Sequence, residues 1–407
     1  MAYTDPPKES FRLSQLIYDT RYRSITIQVV VLMLVALGIG WLVWNAKQNL
    51  SALGLEPNFG FLNSRAGYDI AFTLIPYDNS MSYGRTALVG IVNTLLIAAI
   101  GCVTATVIGV IAGVLRLSKN WVVSRLMAVY VEGFRNVPLV LWILLFFAVL
   151  SESTPAPRAF KPDANGVTQS SMYFNDSVAV TNRGLFTPAP IFGENTGWLL
   201  AVLVLSIIGA IFYRRLAKHL LFEQGLLLPM VWPAIAIIVV PTVLGFFLLG
   251  RPITLDYPVL GGFNFTGGLN VPNSLIALWI ALSLYTGAFI AEIVRAGILA
   301  VSKGQSEAAF ALGLRPSRTM NLVILPQAMR VIIPPLISQF LNLTKNSSLA
   351  IAVSYPDVRA TLGGITLNQT GRALECMLLL GLFYLALSLA ISFVMNIVND
   401  RMKLQER

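Results

Sequence analysis

Eight long apolar runs organise this chain, at about residues 25–44, 87–115, 138–150, 198–213, 227–249, 275–299, 331–353 and 377–398. A helix rises about 1.5 Å per residue, so about 20 apolar residues cross a hydrocarbon core about 30 Å thick. The pattern therefore predicts an all-α fold, a polytopic transmembrane helical bundle of about eight spans. The third run is short when counted from Pro138. Its span is expected to begin earlier, near Ser124, with Pro138 near the middle as a kink or break. The longest polar stretch, residues 151–197, is rich in Pro, Asn, Ser and Thr and has no apolar periodicity of its own. It reads as a loop, followed by two spans around the basic turn at residues 214–228.

Composition agrees with that pattern. Of 407 residues, 56% are hydrophobic and 12% charged, whereas soluble domains carry about 25% charged residues. So few charges cannot coat a globule of this size, and most of the surface must face lipid. The net charge of +10 then concerns topology rather than nucleic acid, because Lys and Arg collect on the cytoplasmic side of membrane proteins. With the N-terminus inside, nineteen of the 29 basic residues fall on the cytoplasmic side, among them Lys8, Arg12, Arg214, Arg215, Lys403 and Arg407. Nine fall outside, and Lys345 lies within a span. An even number of spans keeps both termini cytoplasmic. The polar start through about Arg23 and the long first run do not fit a cleavable signal peptide.

Little in the sequence suggests catalysis. Cys102 and Cys376 are the only cysteines and His219 the only histidine, so no disulfide framework or metal-ligand spacing is present. There is no G-x-x-x-x-G-K-[ST], H-E-x-x-H or G-x-S-x-G pattern. A nucleotide, if used, must bind another chain.

Ser306–Ala328, between the sixth and seventh spans, is charged and punctuated by Gly and Pro. Ser306 is expected to cap a short helix beginning at Glu307, whose charge suits a helix N-terminus. Ala308, Ala309 and Ala311 allow close approach, while Phe310, Leu312 and Leu314 supply apolar contact. Gly313 permits a sharp turn. Pro316-Ser317 restarts a second helix with Ser317 as its cap, and Pro326 marks the return to the membrane. The expected result is a helix–turn–helix knob.

The spacing Glu307-Ala308-Ala309, three residues, Gly313, then Val323-Ile324-Leu325-Pro326 resembles the EAA loop of bacterial ABC-importer permeases. Residues 288–298 (AFIAEIVRAGI), 130–139 (YVEGFRNVPL) and 343–350 (LTKNSSLA) resemble stretches of the polar amino acid (histidine/glutamine-type) permeases. The enlarged architecture resembles the Q-type permease subunit of general L-amino acid transport systems and its glutamate/glutamine/aspartate/asparagine relative. The resemblance implies a core split between residues 84–150 and 274–407. It leaves residues 1–83 as an N-terminal addition with an extra span. Residues 151–273 are then an insertion carrying the external loop and two more spans. It further implies a bacterial inner-membrane importer subunit with no cofactor of its own. P-loop ATPase subunits binding ATP and Mg would couple through Glu307, Ala308, Ala309, Phe310, Leu312 and Gly313. A second related permease and a periplasmic amino-acid-binding protein complete the implied partners. The alternative is a secondary transporter or channel with a coincidental loop.

Ionisable residues in spans are costly and face protein or water. Glu292 and Arg295, and likewise Glu132 and Arg135, are spaced i,i+3 and are expected to form structural ion pairs. Lys345 has no partner at helical spacing and neighbours Thr344, Asn346, Ser347 and Ser348. Two readings stand for this cluster: lining of a substrate path, or bonding to carbonyls freed by Pro334 and Pro335. Asn93, Thr94, Gly101, Thr104, Thr106, Gly109 and Gly113 mark a tightly packed helix. Asn93 and Thr94 could also line a path.

Overall fold

The computed structural model describes residues 20–52, 58–162 and 167–402. Lys8, Arg12, Lys403 and Arg407 lie outside the described residues. The chain divides into two units, Met1–Leu62 and Asn63–Arg407. In the first, α1 (Thr20–Ala52) is one 33-residue helix with no polar face.

The second unit opens with α2 (Tyr83–Leu115), α3 (Trp121–Asn136) and α4 (Leu139–Ser153). The pair α5 (Thr196–Gln224) and α6 (Trp232–Leu248) follows. Then come α7 (Asn273–Leu299), α8 (Lys303–Ala311), α9 (Pro316–Thr319) and α10 (Leu325–Asn346). Two short helices, α11 (Val358–Ala360) and α12 (Leu367–Thr370), precede α13 (Ala373–Met402). Among the described residues seven helical segments are long and apolar enough to cross a membrane, and α6 is a shorter apolar helix of 17 residues. The eight expected spans are therefore seven long segments and one short helix. Pro138 breaks the third rather than kinking it. Val137 and Pro138 are extended, and α3 and α4 are separate helices, as the restriction on a residue preceding proline favours.

Glycine sets the closest packing. A Cβ at Gly109 would lie 2.6 Å from Ile290 Cβ, and one at Gly113 would lie 2.6 Å from the Ala291 carbonyl. The backbones of α2 and α7 can meet only because these side chains are absent. Around this pair lies a buried cluster that includes Ile97, Ala105, Leu278, Leu282, Ile290, Ile332 and Leu343. Thr104 Oγ1 bonds Ser283 Oγ across the same interface.

The polar insertion is not a plain loop. β1 (Ala179–Thr181), β2 (Gly184–Thr187) and β7 (Leu269–Pro272) form an antiparallel sheet in the order β1-β2-β7. β3 (Ala189–Phe192) pairs with β4 (Ile253–Asp256), and β5 (Val259–Leu260) with β6 (Phe265–Thr266). Segments on both sides of the α5–α6 hairpin thus zip together. Phe160, Phe186 and Phe265 form the buried core of this module, with ring centroids 5.3 and 5.2 Å from that of Phe265. Its strands have two to four residues, too short for an alternating pattern to stand out.

Candidate functional site

The knob is present, with its helix shifted from the expected start. α8 begins at Lys303 with Ser302 at the cap position, so Ser306 lies inside the helix. Gly313 ends the turn at φ +75°, its N–H bonding the Phe310 carbonyl while the Leu314 N–H bonds that of Ala309. This left-handed C-terminal geometry favours glycine. Pro316, not Ser317, opens the next helix, which has Arg315 at its cap position. A π-helical turn at Met320–Ile324 then carries the chain straight into α10. Gln327 Nε2 bonds Gln305 Oε1 at 3.2 Å, tying the two arms together. Ala309 and Thr319 are buried between them, so Ala309 supports the knob from within and is not on its outer face. Glu307, Ala308, Phe310, Leu312 and Gly313 are exposed. Phe310 is 50% and Leu312 82% exposed, and Leu322 adds a further exposed apolar side chain. Apolar side chains held out on a rigid turn fit a protein groove.

An ion cluster sits beside the end of α2. Glu292 Oε1 accepts from Arg295 Nε at 3.1 Å, and Arg116 bonds the other carboxylate oxygen. Glu132 pairs with the same Arg116 at 3.4 Å. The expected Glu132–Arg135 pair is absent; Arg135 instead lies over the Phe289 ring, 5.2 Å from its centroid. Arg116 reaches carboxylates on both α3 and α7. Arg116 was not singled out by sequence, since its partners are 16 and 176 positions away.

In the first half of α2, Asn93 and Thr94 are fully buried. Asn93 Nδ2 donates to the carbonyls of Phe72 at 3.0 Å and Pro356 at 2.9 Å. Thr94 Oγ1 accepts from the Val358 N–H at 3.0 Å, and the Tyr355 hydroxyl donates to the Asn93 carbonyl at 3.1 Å. Together they hold the segment around Asp357 against α2. Asp357 is buried and caps α11 by accepting from the Ala360 N–H at 2.8 Å, while its Oδ2 has no hydrogen-bond partner among the described residues. Burial pushes this carboxyl up to about 7. The sequence carried a signal for its capping role, Asp before a short helix, but none for its burial.

Lys345 is exposed on α10, with no hydrogen bond or ion pair from its ammonium among the described residues. Asn346 and Ser348 are half-buried and Ser347 is buried. The hydroxyls of Thr344, Ser347 and Ser348 bond the carbonyls of Phe340, Thr344 and Lys345. They close the end of their own helix and do not reach carbonyls a turn before Pro334 and Pro335. Among the described residues no group of three or more His, Cys, Asp or Glu side chains could hold a metal ion.

Known proteins share this sequence closely. The glutamate/glutamine/aspartate/asparagine transport system permease protein BztB of Rhodobacter capsulatus is 56% identical over 99% of each chain. The general L-amino acid transport system permease protein AapQ of Rhizobium johnstonii is 46% identical, covering 98% of this chain and 96% of its own. The putative amino-acid ABC transporter permease protein YhdX of Escherichia coli is 41% identical over 95% of each chain. The family profile described as "Binding-protein-dependent transport system inner membrane component" matches residues 219–404. With the polytopic apolar helices and the knob between α7 and α10, these likenesses mean that the chain belongs to the ABC transporter permease family, as a multi-pass membrane subunit.

Proposed function

We propose that this permease passes polar L-amino acids across a bacterial inner membrane, with both termini in the cytoplasm. P-loop ATPases, which hold the ATP and Mg, engage the knob. A periplasmic amino-acid-binding protein delivers substrate at the opposite face, and a second, related permease completes the pathway. The observation that carries this reading is the knob: exposed Phe310 and Leu312 on a turn fixed by Gly313, continuous through α9 with α10. A movement of the ATPase would be transmitted through a short rigid lever rather than a loose loop. The names of the relatives support the substrate class. Lys345, exposed on α10 beside Asn346 and Ser348, is the group proposed to attract a substrate carboxylate. A buried role for its ammonium is disfavoured by that exposure.

Purification of the tagged chain in mild detergent, with identification of its partners by mass spectrometry, tests the assembly. A P-loop ATPase, a second permease and a binding protein are expected. Glutamine uptake into vesicles containing the purified assembly, driven by a sodium or proton gradient without ATP, would overturn the proposal.

A further inference from the structure

The β module carries a cationic pocket. Arg158, Lys161 and Arg183 line one concavity of about 280 Å³, together with Gly262 and Phe263. Two of the three cations are held in place by carbonyls. Lys161 Nζ donates to Gly262 O at a short distance, and an Arg183 guanidinium N–H donates to Phe263 O at 3.3 Å. Beneath them, Phe160 and Phe265 belong to the buried aromatic core, so the rim stands on a rigid base. None of the three cations forms a salt bridge among the described residues. Phe263 stands beside them 89% exposed. Basic residues are scarce on the outer face of a membrane protein, yet three gather here around an open pocket.

We infer that this pocket docks a carboxylate-bearing surface of the amino-acid-binding protein, with Phe263 as the apolar anchor next to it. The inference rests on the proposed outward orientation of the module and on a binding-protein partner. Guanidinium forks match carboxylates in geometry, and an exposed aromatic beside them is the usual composition of an energetic centre. The chain path gives docking a consequence. β7 runs directly into α7, and Asn273 at the start of α7 donates to the Thr181 carbonyl of β1 at 3.3 Å. The other end of α7 leads into α8 of the knob. A single helix therefore joins the docking module to the part that meets the ATPase.

The test uses the whole complex in liposomes, with ATP hydrolysis followed as its purified binding protein is titrated. Arg158→Gln, Lys161→Gln and Arg183→Gln are combined. Half-saturation should rise about tenfold, equivalent to about 1.4 kcal/mol, with hydrolysis in the absence of binding protein unchanged. The wild-type response should weaken on raising salt from 50 to 300 mM, because exposed charges are screened, and the variant should lose most of that dependence. Arg183→Glu, a single change on the exposed rim, should give a shift in the same direction and so separates charge from module folding. Unchanged half-saturation in both variants overturns the inference. So does a loss that follows the phosphatidylglycerol content of the liposomes, or that free glutamate reproduces without binding protein. If even the wild type shows no response to binding protein, the proposed function fails with it. A normal wild-type response with an indifferent variant defeats the docking pocket alone.

Discussion

Removing the Asn93 side chain by Asn93→Ala should destabilise the subunit without changing how it meets substrate. The amide donates to the buried Phe72 carbonyl and to the half-buried Pro356 carbonyl, and Asn93 is itself fully buried. The Phe72 carbonyl, buried with its residue, would be left without a donor, while the Pro356 carbonyl is half-exposed. Hydrogen bonds in membrane proteins average about 0.6 kcal/mol and reach about 1.7, whereas a stranded buried acceptor costs about 1–3 kcal/mol. One stranded acceptor, one lost half-exposed bond and a small cavity place the effect at about 2–4 kcal/mol. Thermal melts of the complex in detergent should show a lowered transition, by the same amount with and without saturating glutamine. Surviving complexes should keep the wild-type KM for uptake. A variant that melts like the wild type but shows a raised KM would refute the packing role and restore Asn93 to the substrate path.

Asp357→Asn should flatten the pH dependence of stability. A buried carboxyl titrating at about 7 rather than near 3.9 favours the folded protein when protonated. Its stabilising effect is full below about pH 4, is lost between about 4 and 7, and changes little above. Wild-type melting temperature should therefore fall from pH 5 to 7.5 more steeply than that of the variant, and parallel curves would contradict this. Gly109→Leu should prevent assembly, because its Cβ would lie 2.6 Å from Ile290, while Gly245→Ala, at 3.4 Å from Val202, should be tolerated; size-exclusion profiles of the two compare them directly. Lys345→Met should leave the melting temperature unchanged and lower glutamate uptake severalfold; a lowered melting temperature would instead make the lysine structural.

The apolar runs were readable because membrane helices are long and their composition admits few alternatives. Glu307, Phe310 and Gly313 were readable because a turn between two short helices imposes a local order of charge, apolar contact and glycine. Contacts between distant parts of the chain were not. Arg116 and Glu292 meet only once α2 and α7 pack, and Arg135 meets the Phe289 ring only once α3 and α7 pack. Asn93 and Thr94 look the same in sequence whether a polar side chain faces a path or a backbone carbonyl. The β module is hidden in the sequence for another reason. Its strands are short, and their partners lie on opposite sides of a helical hairpin.

If the knob couples ATP hydrolysis to transport, Gly313→Asp should break that coupling. Among the described residues nothing lies within 4 Å of a Cβ at Gly313, but φ is +75°, so the change strains the turn and adds a charge to the contact without disturbing the membrane helices. The measurement is ATP-dependent glutamine uptake into liposomes, recorded together with binding-protein-stimulated ATP hydrolysis for wild type and variant. The variant should insert and fold normally while uptake and stimulated hydrolysis both fall at least tenfold. Wild-type values of both in the variant would contradict it.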